Sequence, residues 1–261
     1  HRWRTIFGKV LPEKKATQSV ETLNRVGGPR RPHLVVPFAM EDGVSFSNPA
    51  PGRSLRDLLL AGDALPAPAR VAGLVNDIGN IPGIPSAGDH RMRPERIARA
   101  TAELLGRLVP ESLSRIALIE EAVGRGARSD QVPARVVHGD LYEAQVFVGA
   151  DYSLGLIDLD DLGPGDPAMD AANFCAHLLA LALAVPSASS RLVAYRHLVR
   201  REFMATLGIG PAELRWREAL AVLLLATGPF RVLDPRWPEQ VRRRIELAVR
   251  LMEEPRWSTS S

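Results

Sequence analysis

Between positions 136 and 173 the chain reads VVHGDLYEAQVFVGADYSLGLIDLDDLGPGDPAMDAAN, a dense run of groups able to move protons or hold hard cations. His138, Asp140 and Gln145 precede the apolar run Val146-Phe147-Val148. Asp158, Asp160, Asp161 and Asp166 follow or close a second run, Leu154-Gly155-Leu156-Ile157. The turn Ala150-Asp151-Tyr152-Ser153 separates the two runs, which is a β-hairpin signal. A hairpin returns the chain to its starting end, so it brings both oxygen-rich loops together. Phosphoryl transfer needs such an arrangement: a carboxylate to orient and deprotonate the attacking hydroxyl, and side-chain oxygens to hold Mg²⁺ against the phosphates. Magnesium takes one or two hard oxygens from a protein and leaves the other positions to phosphates and water. Asp158 supplies a full negative charge for that purpose and Gln145 a neutral carbonyl oxygen, and Asp140 precedes the hairpin that joins them.

The elements that must position these residues are legible in outline. Residues 4–10 have strand character, and Pro12-Glu13 introduces a helical stretch to position 26 that carries Glu21. The protein's three lysines, Lys9, Lys14 and Lys15, fall here, with Lys9 between Phe7 and Val10. Strands are expected over 33–39 and 43–46 around a Glu41-Asp42-Gly43 turn. The rigid connector Asn48-Pro49-Ala50-Pro51-Gly52 is the best boundary in the chain. Ser54 is placed to cap a short helix over 55–60, and one helix plus an irregular loop is expected before Pro94. From Pro94 a helical period sets in; a second helix carries Leu113, Ile116, Ile119 and Val123 and is expected to stop at Gly124 and Gly126. Helices are predicted over 170–185, 190–207, 211–226 and 238–252.

Composition narrows the classes. The 261 residues are 46% apolar and 24% charged, ordinary values for a globular chain with room for a sizeable core. Cys175 is the one cysteine, which excludes a disulfide framework and suits a reducing, cytoplasmic location. The longest apolar run, near 178–185, is broken by Pro186 and reads as a buried helix rather than a membrane span. A pI near 9.4 is consistent with nucleic-acid binding, but the net charge is only +3 and no basic run is interleaved with aromatics. Neither a nucleic-acid nor a membrane partner is expected, and nothing bears on oligomeric state.

The pattern His138-Gly139-Asp140-Leu141-Tyr142-Glu143-Ala144-Gln145, then Ile157-Asp158-Leu159-Asp160, then Gly165-Asp166-Pro167-Ala168-Met169-Asp170 resembles the aminoglycoside phosphotransferase and choline kinase-like enzyme family. These are small-molecule relatives of the protein kinases. The resemblance implies an α+β, protein-kinase-like fold of two lobes. The first, residues 1–51, is a partial N-lobe of strands plus one helix; the second, 52–261, is a helical C-lobe with the embedded catalytic hairpin. It also implies ATP (or GTP) and Mg²⁺, with Asp140 as catalytic base and Asp158 as the principal metal ligand. Gln145 stands where most of the family has Asn, although maltokinase-like branches also carry Gln here, and it keeps the oxygen while shifting it. Lys9 would contact the nucleotide phosphates and pair with Glu21. His138 would hold the loop through its ring, one of Asp160 and Asp161 would assist the metal while the other is solvated, Asp166 would cap the helix that follows, and Asp170 would bind the loop backbone. The family's lysine strand is preceded by a hairpin over the phosphates; with eight residues ahead of Lys9, the chain is expected to begin inside the N-lobe.

The expected reaction is transfer of the γ-phosphate to a hydroxyl of a small molecule, whether sugar, metabolite or antibiotic. From Arg191 to the end the sequence has 13 Arg against 8 Asp plus Glu, which favours a neutral or anionic acceptor over a polycation. Trp216, Phe230, Arg231 and Trp237 are candidates to line its pocket. Two other readings fit the same residues: a nucleotide-binding pseudokinase, and a non-catalytic interaction module with a basic helical face.

Overall fold

A computed structural model of the chain describes residues 5–10, 34–35, 38–41, 43–81, 93–129 and 132–253. Strands β1 (Phe7–Val10), β2 (Ala39–Glu41) and β3 (Val44–Ser47) form an antiparallel sheet in the order β1-β3-β2, with Lys9 opposite Ser45. The strand expected over 33–39 is corrected here. Among the described residues the strand register with β3 starts at Ala39, while Leu34 forms a parallel bridge to Leu156 and the Val35 amide donates to the Leu156 carbonyl at 2.8 Å. Pro37 has no amide hydrogen for a ladder, which favours pairing after it. The helical stretch expected to position 26, with Lys14, Lys15 and Glu21, lies outside the described residues.

After the Pro-rich connector, β4 (Arg53–Ser54) leads directly into α1 (Leu55–Ala61). The Ser54 hydroxyl accepts from the Asp57 amide at 3.1 Å, the expected cap. Helix α2 (Pro68–Gly79) buries Val71, Leu74, Val75 and Ile78, the apolar segment that marked it in the sequence. Helices α3 (Pro94–Leu108) and α4 (Leu113–Ser129) follow. The expected stop of α4 at Gly124 and Gly126 is wrong: the helix runs on to Ser129. Gly126 lies under the Trp216 indole so closely that an added Cβ would overlap the ring. Glycine is used there for close approach rather than for a turn.

The central stretch folds as the hairpin β6 (Val146–Val148) and β7 (Leu154–Leu156), in register Val146↔Leu156, with β4 on the outer edge of β6. A second pair, β5 (Arg135–Val137) with β8 (Gly163–Gly165), ties the start of the stretch to its end. Helices α5 (Pro167–Ala184), α6 (Ser189–Leu207), α7 (Pro211–Leu225), α8 (Gly228–Arg231) and α9 (Trp237–Glu253) complete the chain. Helix α5 starts ahead of the predicted 170 because Asp166 caps it and Pro167 suits its first turn.

Two apolar clusters make the core. One joins α1, α2, the β6–β7 hairpin and α6; the other joins α3, α4, α7 and α9. Helix α5 contributes to both, with Ala172, Phe174 and Leu178 in the first and Ala176 and Leu179 in the second. The apolar run noted at 178–185 belongs to this helix, which is 18 residues long and apolar enough in composition to cross a membrane. It is instead 67% buried inside the protein.

Candidate active site

Backbone geometry sets the candidate catalytic loop. His138 is fully buried, and its ring Nε2 lies 3.0 Å from the Ile157 carbonyl, which joins the loop to the end of the hairpin. Gly139 has φ +91°, a left-handed conformation that L side chains rarely adopt, and it turns the chain from buried His138 to Asp140 at the surface of a cleft. Asp170, in the first turn of α5, fixes that turn. Its two carboxylate oxygens accept from the amides of His138 (2.7 Å) and Gly139 (2.9 Å). A carboxylate that takes two loop amides sets a backbone as firmly as a strand ladder does.

Asp140 is held from one side. Asn173, one turn after Asp170 on α5, donates through Nδ2 to Asp140 Oδ1 and to the Leu141 carbonyl, each at 3.1 Å. Burial raises the Asp140 pKa above the ordinary aspartate value, the Asn173 hydrogen bond and the His138 charge oppose the rise, and the charges of Asp158 and Asp161 add to it. Asp140 is therefore a better proton acceptor than a free aspartate, and it lies within electrostatic reach of the acidic loop.

Asp158 follows the hairpin in a left-handed conformation, φ 59° and ψ 57°, and opens a short 3₁₀ turn over Leu159–Asp161. Non-glycine residues seldom adopt this geometry, and it recurs at functional sites. Lys9 forms ion pairs with Asp158 and with Asp160. Partial burial lowers the Lys9 pKa, but hydrogen bonds and charges from the two aspartates outweigh it and leave a net rise, so the ammonium form is favoured. The expected partner Glu21 lies outside the described residues. Gln145 is buried; its Nε2 donates weakly toward Asp158 Oδ2 at 3.4 Å, while its Oε1 has no hydrogen-bond partner. A buried carbonyl oxygen without a donor, next to a carboxylate, suits a hard cation such as Mg²⁺, so these two residues fit one.

Two clefts flank this row of carboxylates. One, about 600 Å³, is lined by Lys9, Ser45, Pro49, Phe147, Ile157 and Asp158, combining apolar walls with a cation and an acid. The other, about 520 Å³, is lined by Asp140, Asn173, Met169, His177, Leu224 and Arg231 among others. Asp166 faces the second cleft as the cap of α5, accepting from the Ala168 amide at 2.8 Å, and it is paired with Arg217 Nε at 2.6 Å. Of the four residues picked as pocket walls, Arg231 is on this cleft. Trp216 instead packs on Gly126 and under Arg217, and Phe230 and Trp237 meet edge to face. Asn173 and His177 escaped the sequence reading. Their signal was spacing: Asp170, Asn173 and His177 recur at helical intervals on one face of α5.

A family model described as the phosphotransferase enzyme family matches residues 48–217. No curated protein matches the sequence. Among solved structures, a choline/ethanolamine kinase family protein from Mesorhizobium loti is 13% identical over 96% of this chain and 83% of its own, with a TM-score of 0.66. Choline kinase LicA from Streptococcus pneumoniae is 11% identical over 95% and 86%, at 0.63. The aminoglycoside phosphotransferase APH(3'')-Id from Streptomyces rimosus, solved with ADP and streptomycin, is 19% identical over 84% and 86%, at 0.53.

Proposed function

The chain belongs to the phosphotransferase enzyme family and is a small-molecule kinase with a hydroxyl acceptor, and on that premise we propose that Asp140 is its catalytic base. The observation that carries this reading is the state of Asp140: it lines the 520 Å³ cleft, its proton affinity is raised, and Asn173 holds one of its oxygens. The second oxygen is left for the hydroxyl of the acceptor. As the hydroxyl attacks the γ-phosphorus, its proton passes to the Asp140 carboxylate, a P–O bond forms to the acceptor, and the bond to the departing nucleoside diphosphate breaks. The 600 Å³ cleft takes the nucleotide, ATP or GTP, with Lys9 directed at its phosphates. Asp158 and Gln145 would hold Mg²⁺, which when bound supplies positive charge to the phosphate oxygens. Asp160 supports the same end of the site through Lys9. His138 and Asp170 are positioning residues, since they act on the loop and not on the reacting atoms.

The test is transfer of labelled γ-phosphate from Mg-ATP and Mg-GTP to a panel of hydroxyl compounds. Asp140→Asn keeps the shape and the Asn173 contact while removing the base. Turnover should fall about a thousand-fold, with the nucleotide-induced rise in Tm retained. Turnover of the Asp140→Asn protein within about ten-fold of the parent would remove Asp140 from the role of base. The acid limb of kcat/KM should also lie above about pH 3.9, the ordinary aspartate value, because activity is lost as pH falls through the raised pKa.

A further inference from the structure

We infer that the acceptor bears an anionic group, a carboxylate or phosphate ester, beside the hydroxyl that is phosphorylated, and that Arg93 and Arg231 at the cleft of Asp140 receive it. This rests on the phosphotransferase reading given above.

The charge balance of the 520 Å³ cleft carries the argument. Among the described residues, the charged ones on its lining are Arg93, Arg231, Asp140, Asp166 and Asp170. Two of the three acids are already satisfied by the protein. Asp170 is 3% exposed with both oxygens on the loop amides, and Asp166 is taken by the Ala168 amide and by Arg217. Asp140 is committed to the reacting hydroxyl. Both arginines are exposed, and neither forms an ion pair among the described residues, whereas Arg53, Arg56, Arg196, Arg200 and Arg217 all do. Arg93 also immediately precedes α3, at the positive end of a 15-residue helix, while Arg231 closes α8.

With Asp166 paired to Arg217, the two uncommitted guanidinium groups balance Asp140 and Asp170, so the cleft lacks the acidic excess that a polycationic amino sugar needs. A quaternary ammonium compound needs aromatic faces, and the one ring on the described lining is the imidazole of His177. Two planar forks of N–H donors match the oxygens of a carboxylate or phosphate. His177 adds no competing charge: burial, with help from the Arg56 charge, lowers its pKa to about 4, so it is neutral and can hydrogen-bond a polar acceptor. The apolar part of the wall, Ile97, Met169, Leu220 and Leu224, suits the carbon skeleton of a small organic molecule.

The experiment uses pyranoses that differ in charge: glucuronate, glucose 6-phosphate, glucose and glucosamine. Binding is measured by calorimetry on protein saturated with a non-hydrolysable nucleotide, and transfer is measured separately with labelled nucleotide. The two anionic sugars should bind about ten-fold or more tighter than glucose, glucosamine should bind weakest, and Arg93→Gln with Arg231→Gln should erase the preference. The carboxylate and phosphate arms rank the two headgroups. Equal or tighter binding of glucose or glucosamine overturns the inference, as does a preference that survives the double substitution, or no saturable binding of either anion at millimolar concentration. Asp140-dependent transfer to glucosamine with no anion preference would sink this inference and leave the kinase reading intact. Arginine-dependent anion binding with no transfer to any acceptor would leave an anion site at the two arginines but overturn its acceptor role together with the kinase reading.

Discussion

At the scale of single residues the site is a set of carboxylates given different tasks by their neighbours. Asp140 and Asp170 are both acids at one loop, yet burial tunes the first toward proton uptake against the pull of its Asn173 hydrogen bond, while two amides fix the second. His177 belongs to the same face. It stacks on Tyr142 with ring centroids 4.2 Å apart, and the Arg56 guanidinium lies 5.5 Å from the centre of the Tyr142 ring. Its folded pKa of about 4 is below the unfolded value of about 6.5, so above pH 6.5 it is neutral in both states and costs nothing. As pH falls from 6.5 toward 4, the unfolded chain takes up a proton that the native protein refuses, and stability drops by up to about 3 kcal/mol. Glu143 works in the opposite sense: burial raises its pKa against the pull of Arg56, so its native form gains a proton more readily than the unfolded one. His177→Phe keeps a ring against Tyr142 and should flatten the decline in urea-measured stability between pH 6.5 and 4; an unchanged slope would assign that decline to another group. Asp140, Gln145 and Asp158 were visible in the sequence because hard-oxygen residues around a hairpin are a local signal. Asn173 was not, since its partners, Asp140 and the Leu141 carbonyl, are remote in sequence.

At the scale of elements, the longer described helices, the β6–β7 hairpin and the Ser54 cap were legible because each rests on local periodicity or capping, whereas the short helix Gly228–Arg231 read as a break. The β5–β8 pair was not legible. Gly163-Pro164-Gly165 has no strand propensity, and its pairing with Arg135–Val137 is imposed from outside the segment. The end of α4 was misread for a related reason. Glycine is both a helix stop and the smallest spacer, and only the Trp216 ring on α7 reveals which use applies. The two readings separate experimentally. At Gly126, alanine would overlap the indole and should cost about 1–3 kcal/mol of stability. At Gly124 the nearest group is the flexible end of Arg128 at 3.3 Å, so alanine there should stabilise by up to about 1 kcal/mol through helix propensity. Urea melts of both variants decide it, and a common sign would refute the distinction.

At the scale of the whole molecule, the small sheet and the helical bulk differ in how they are secured. The sequence led to the expectation of a boundary at the Pro-rich connector, but not to what crosses it. Strand β1 is exposed along its length, and its described links to the larger part are the Lys9 pairs with Asp158 and Asp160. Lys9 and Asp158 are 49% and 40% exposed, so their pair is worth about 1 kcal/mol or less. Amides of β3 should therefore exchange with deuterium much faster than those of α5, and Mg-nucleotide should slow β3 selectively; equal protection without nucleotide would contradict this. Helix α5 presents the contrary case. It supplies side chains to both apolar clusters while its first turns set the His138–Asp140 loop, through Asp170, and the proposed base Asp140, through Asn173. A packing change on either side reaches the chemistry, so this helix leaves evolution little room. Arg93 and Arg231 sit at helix ends, and their side chains form no ion pair among the described residues. Divergence in acceptor choice has its freedom there, at the rim, where an exchanged side chain alters what is bound without disturbing how phosphate is moved.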